Sequence, residues 1–201
     1  MDRLDPDRTA LVLAHMVKGV AGDVDTPFSR LFRQRAEKAG LIKIQQRLLD
    51  KFRVAGARVV YTLVAYQPGL PGVTPNSPLF GTLIGNPTLL QNTPATEVMD
   101  EVGPQREDPV IRGQGASGFQ GTSLDTILRV AGVDNLVLVG IATDVAVEST
   151  ARAACDLAYR PIVVSDACLS DTDQGHANSL AVIKKWFCET PTADEVLSAL
   201  K

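Results

Sequence analysis

The stretch LVLVGIATDVAVESTARAACDLAYRPIVVSDAC, residues 136–168, reads as a complete strand–helix–strand unit. Residues 135–141 (NLVLVGI) and 161–165 (PIVVS) are short, nearly unbroken apolar runs rich in β-branched side chains, the pattern of strands covered on both faces. Asp144 to Ala158 lies between them and is predicted to be a helix, with Asp144 as its cap and Glu148 orienting neighbouring backbone or Arg152 one turn on. A helix joining two such strands makes them parallel neighbours. Working outward, residues 9–14 (TALVLA) and 58–65 (RVVYTLVA) repeat the strand pattern. Thr26–Pro27 is a helix start, followed by Phe28, Leu31, Phe32 and Ala36 at helical spacing; Ile44, Leu48, Leu49 and Phe52 mark a second helix ending at Gly56. Thr122 to Val130, 174–187 and 192–200 are the remaining helical pieces, and the Pro- and Gly-rich residues 67–93 read as one long surface loop. The expectation is a single α/β domain over 1–201, with three α-β-α layers and a mostly parallel central sheet.

Composition narrows the function classes. Twenty basic against twenty-three acidic residues give a net charge of −3, and the basic ones are scattered. That argues against nucleic acid or an anionic membrane and for a small-molecule ligand. The N-terminus has neither a secretion signal nor an apolar run long enough to span a bilayer, so the expected location is cytoplasmic. Cys155, Cys168 and Cys188 are odd in number with no close pair, which predicts free thiols. His15 and His176 are the only histidines and neither sits at ligand spacing, so no metal or other cofactor is expected.

In a parallel sheet the ligand crevice lies beyond the carboxyl ends of the strands. That rule gathers His15, Tyr66, Arg112 and residues 141–146, including Ala142, Thr143 and Ala146. His15 is the candidate catalytic group, because imidazole titrates near neutral pH and serves as general acid or base. Lys18, one turn further on, offers an ammonium; Arg112 and Gln114 offer contacts to a carboxylate.

Three stretches, ALVLAHMV (10–17), VIRGQGASGFQGTSLD (110–125) and 136–168, together resemble the isochorismatase-like superfamily of cysteine hydrolases, which includes nicotinamidases, carbamoylsarcosine amidohydrolases and isochorismatases. The resemblance covers most of the chain. It implies an Asp at the end of the first strand, a Lys ahead of the Ser-Ala-Phe stretch and a nucleophilic Cys at the start of the helix after Thr-Asp, with backbone amides holding an oxyanion. At those positions this sequence has His15, Gly113 and Ala146. Alanine has no lone pair, so the thioester route is closed there. The resemblance also places Ser117 and Phe119 in the pocket lining, a cis peptide at Ile141–Ala142, and a dimer or tetramer of closed symmetry.

Two functions follow as expectations. The first is a small-metabolite hydrolase working without a thioester, with His15 as imidazolium protonating a substrate such as a vinyl ether and Lys18 or Arg112 holding an acid group. The second is a catalytically silent relative that binds a metabolite or serves as a partner subunit. Amide hydrolysis is the reaction this sequence disfavours.

Overall fold

The computed structural model describes all residues 1–201. Five strands form one parallel sheet: β1 (Thr9–Ala14), β2 (Arg58–Val64), β3 (Val110–Gly113), β4 (Asn135–Ile141) and β5 (Arg160–Leu169), in the order β3-β2-β1-β4-β5. Eight helices connect or flank them: α1 (Lys18–Ala21), α2 (Pro27–Ala39), α3 (Leu41–Val54), α4 (Pro78–Gly85), α5 (Leu124–Val130), α6 (Glu148–Asp156), α7 (Asp173–Trp186) and α8 (Ala193–Ala199). No helix is long and apolar enough to cross a membrane.

Alternation along the strands splits the interior into two apolar layers. Leu11, Leu13, Tyr61, Leu63, Val137 and Val139 face the layer built with α2, α3 and α8, where Phe32, Leu48, Phe52 and Val196 are buried. Ala10, Val12, Val60, Leu136 and Leu138 face the opposite layer with Leu128, Ala154 and Ile183 of α5, α6 and α7. Each strand is therefore apolar on both sides, which is why β1 and β4 appear in the sequence as unbroken hydrophobic runs. α2 starts where expected: Thr26 Oγ1 accepts the Phe28 and Ser29 amides, and Ser29 Oγ accepts the Thr26 amide in return.

Two elements lie where the sequence reading has none. β3 is a four-residue edge strand paired with β2 over Tyr61–Val64. α4 interrupts the 67–93 loop: Ser77 Oγ accepts the Phe80 amide and Pro78 opens the helix. β5 also runs four residues past the predicted strand end, with a register irregularity opposite Leu138–Gly140. The helix expected from Asp144 begins instead as a π-helical turn, Thr143–Val147, before α6.

Just before that turn β4 approaches β1 closely. Gly140 has φ +131°, and a Cβ built there would stand 2.1 Å from the Ala14 carbonyl oxygen and 2.8 Å from the Ala14 nitrogen. Only glycine fits between the two strand ends. The Ile141–Ala142 peptide that follows is cis.

Candidate active site

All five strands deliver residues to one cavity beyond their carboxyl ends. His15 follows β1, Tyr66 follows β2, Gly115 and Ala116 follow β3, Ala142 follows β4 and Asp171 follows β5. The cavity holds about 280 Å³, and thirteen of its seventeen lining residues are apolar. α2 supplies Phe28, Leu31 and Phe32 to one wall and α4 supplies Leu79 and Leu83 to another.

His15 is the most constrained polar group there. Its backbone has φ +55°, a region that non-glycine residues rarely occupy. Two bonds hold it: its amide donates to the Thr62 carbonyl at 2.8 Å, and its carbonyl accepts the Val17 amide at 2.8 Å. The imidazole is buried, and burial is the sole cause that pushes its pKa down to about 4. No carboxylate or carbonyl of the protein hydrogen-bonds to it, so both ring nitrogens are available to whatever fills the cavity. Tyr66 is similar: its phenol, pushed up to about 12 by burial alone, is a hydrogen-bond donor throughout the physiological range.

The third polar element is backbone. In the π-helical turn the Ala142 carbonyl accepts the amides of Val145, Ala146 and Val147 at 3.2, 2.9 and 3.1 Å. The amides of Ala142, Thr143 and Asp144 donate to no protein acceptor, as the first amides of a helix do. Of these residues Ala142 and Asp144 line the cavity.

His15 and Ala142 thus stand together as expected, and the other predicted contacts disperse. Lys18 does not reach the cavity: its Nζ lies 3.0 Å from Glu97 and 3.2 Å from Asp100, in a separate polar cleft beside α1, and both carboxylates raise its pKa. Arg112 points to solvent from the edge strand. Gln114 is committed to the 67–71 segment, accepting the Gln67 amide at 2.9 Å. Ser117 Oγ accepts the Phe119 amide, and Phe119 stacks on Tyr159 at 5.8 Å between ring centroids, on the far side of the sheet from the cavity wall. Thr143 is buried with its hydroxyl 2.8 Å from His176 Nδ1. Ala146, 1 % exposed, packs into the α5–α6–α7 layer and leaves the cavity lining to Val145.

Asp144 is not the helix cap. Its Oδ1 accepts the Ser170 hydroxyl, and the carboxylate joins Asp171 at the cavity rim. Glu148 does hold Arg152, and also accepts the Ser179 hydroxyl at 2.5 Å. Tyr66 joins the crevice by the same strand-end rule that selects His15, and its phenol is a polar group of the site that the sequence pattern leaves without a role. The three thiols offer no replacement nucleophile. None lines the cavity, and burial pushes Cys168 and Cys188 up to about 12 and Cys155 above the usual thiol range. No three His, Cys, Asp or Glu side chains are grouped as a metal site.

The buried histidine makes stability depend on pH. Between the ordinary value of 6.5 and about 4, the unfolded chain binds a proton at residue 15 that the folded chain refuses. Stability from this group is complete above pH 6.5 and declines as pH falls, by about 3 kcal/mol at pH 4. His176, also lowered by burial, acts in the same direction. Urea unfolding of the wild type and His15→Asn at pH 7 and pH 4.5 isolates the His15 share: the variant is expected to lose less stability on acidification. Equal losses would show that residue 15 titrates normally in the folded chain.

Comparison with known proteins gives the family and the fold. Residues 9–195 match the family described as Isochorismatase domain. The chain is 30% identical over 200 residues to the uncharacterized isochorismatase family protein YwoC of Bacillus subtilis, covering 98% of this chain and 97% of that protein. It is 33% identical over 180 residues to the ureidoacrylate amidohydrolase RutB of Rhizobium rhizogenes, covering 82% and 71% respectively. Among solved structures, a cysteine hydrolase from Pseudomonas syringae pv. phaseolicola superposes with a TM-score of 0.85 at 27% identity, over 99% of this chain and 95% of that one.

Proposed function

Since the chain belongs to the isochorismatase family, we propose that it is a small-molecule hydrolase in which neutral His15 activates water, with no covalent acyl-enzyme. The observation that carries this reading is the buried, unpartnered imidazole of His15 at a cavity also lined by Ala142, whose amide donates to no protein acceptor. Ala146, where the family resemblance assigns the nucleophile, has a methyl group and is closed off from the cavity. Gly113, at the position assigned to the Lys, has no side chain to lower a neighbour's pKa.

In the reaction His15 accepts a proton as the water oxygen attacks an acyl carbon. The carbonyl π electrons move to oxygen, and the Ala142 amide and Tyr66 hydroxyl are the donors available to that oxyanion. Collapse re-forms the carbonyl and breaks the bond to the leaving group, which takes the proton back from His15. Water and R–CO–X become R–COOH and HX.

The imidazolium role expected from the sequence does not suit a buried His15. With the pKa near 4, roughly one molecule in a thousand carries the extra proton at pH 7, so His15 is a poor proton donor to a vinyl ether. As a base it is fully available but weak, which suits an activated ester better than an amide. The amidohydrolase named above is therefore a guide to fold and family here, and the proposed chemistry is ester-like acyl hydrolysis.

The pH–rate profile tests this. With p-nitrophenyl cyclohexanecarboxylate as probe, kcat/KM is expected to rise through about pH 4 and stay level to neutrality once free hydroxide is subtracted. A rate that falls as pH rises from 4 to 6 would identify the protonated imidazole as the active form and defeat the proposal. A second reading, a ligand-binding relative with no turnover, is favoured by the lack of any carboxylate orienting His15; it expects thermal stabilisation by a ligand and no ester hydrolysis.

A further inference from the structure

The cavity's lining says what the acyl group must be. No lysine or arginine lines it, while two carboxylates, Asp144 and Asp171, sit at its rim with no ion-pair partner. The basic groups nearby are committed elsewhere. Lys18 is held by Glu97 and Asp100 in another cleft, and Arg35 of α2 donates from Nε to the Ser170 carbonyl at 3.0 Å and from its guanidinium to Asp173 at 2.5 Å. The remaining wall is apolar, Phe28, Phe32, Leu79, Leu83 and Leu89 among it, with His15 and Tyr66 as its only buried polar side chains. Both are uncharged at neutral pH.

A carboxylate brought into this space would lose its hydration and find no cation, and it would pass two like charges on the way. An uncharged acyl group with an apolar body loses nothing comparable and gains the apolar wall. We infer that the substrate is an uncharged acyl compound with an apolar body, gripped between α2 and α4, and that anionic metabolites are excluded. This reverses the expectation of an anionic ligand built on Lys18, Arg112 and Gln114. It also favours product release: hydrolysis converts a neutral guest into a carboxylate, which meets the rim carboxylates and no counter-charge.

The inference rests on the hydrolase reading for the identity of the acyl group, but its test measures binding alone. Cyclohexanecarboxamide and cyclohexanecarboxylate share one shape and differ in charge, and a carboxamide is outside the chemistry proposed for His15. Calorimetric titration at pH 7 is expected to show the carboxamide binding at least about tenfold more tightly than the carboxylate. Asp171→Asn, on the exposed rim, is expected to narrow that gap by about two- to fivefold. Leu79→Gln, on the partly buried face of α4, is expected to weaken carboxamide binding about tenfold with the fold intact by circular dichroism. A carboxylate that binds as tightly as the carboxamide, or no measurable binding of either, overturns the inference. Preference for the carboxamide with no hydrolysis of the matching p-nitrophenyl ester upholds it and defeats the hydrolase reading instead.

Discussion

Replacing His15 with Asn is expected to lower kcat for p-nitrophenyl cyclohexanecarboxylate by about 10²–10³-fold, the lower part of the range for a single general base because the imidazole is weakly basic. Asn is the informative replacement. The site requires φ near +55°, which Asn tolerates better than Ala or Gln, so the backbone bonds to Thr62 and Val17 survive and folding is preserved. Binding of cyclohexanecarboxamide should change little, since the apolar walls supply most of the buried contact. A drop in kcat with KM nearly constant identifies proton transfer in the transition state as the lost interaction. Wild-type turnover in His15→Asn would remove His15 from the reaction altogether.

Gly140→Ala is expected to destabilise the fold by more than about 3 kcal/mol, measured by urea unfolding at pH 7. The added methyl meets the Ala14 carbonyl oxygen at 2.1 Å and the Ala14 nitrogen at 2.8 Å, both backbone atoms of the strand paired with β4, and φ is +131°. Neither strand can yield without breaking the β1–β4 ladder that sets His15 beside Ala142. Gly115→Ala is the control. It also lies at the site, yet its new Cβ would meet only Gln120 side-chain atoms at 3.6 and 3.7 Å, so its stability is expected to stay within about 0.5 kcal/mol of wild type. Similar stabilities for the two variants would contradict the packing described between β1 and β4.

The parts of this fold that were legible are those with a strong periodic signal. β1 and β4 coincide with the predicted runs because both faces of each strand are covered, so apolar side chains follow one another without a break. β3 carries no such signal: it is a four-residue edge strand with Arg112 turned to solvent. α4 was hidden by the prolines and glycines around it, although its Ser77–Pro78 start is the same kind of signal as Thr26–Pro27. At the site, strand ends were a reliable guide to His15 and Ala142. The residues between Gly113 and Thr122 were not, because that segment turns: Gly115 and Ala116 face the cavity while Gln114, Ser117 and Phe119 bond elsewhere. Lys18 was misplaced because the carboxylates that capture it lie about eighty residues along the chain, at Glu97 and Asp100. The pairing of α2 with α4 across the cavity is a tertiary fact of the same kind, and it carries the specificity.

The central claim is that water, and no group of the chain, attacks the acyl carbon. Intact-mass spectrometry of the protein, acid-quenched while it turns over p-nitrophenyl cyclohexanecarboxylate, tests it most directly. The expected result is the unmodified mass at every time point, with p-nitrophenol rising linearly and no initial burst. A chain carrying the cyclohexanecarbonyl group, formed and lost at the rate of turnover, would contradict the account.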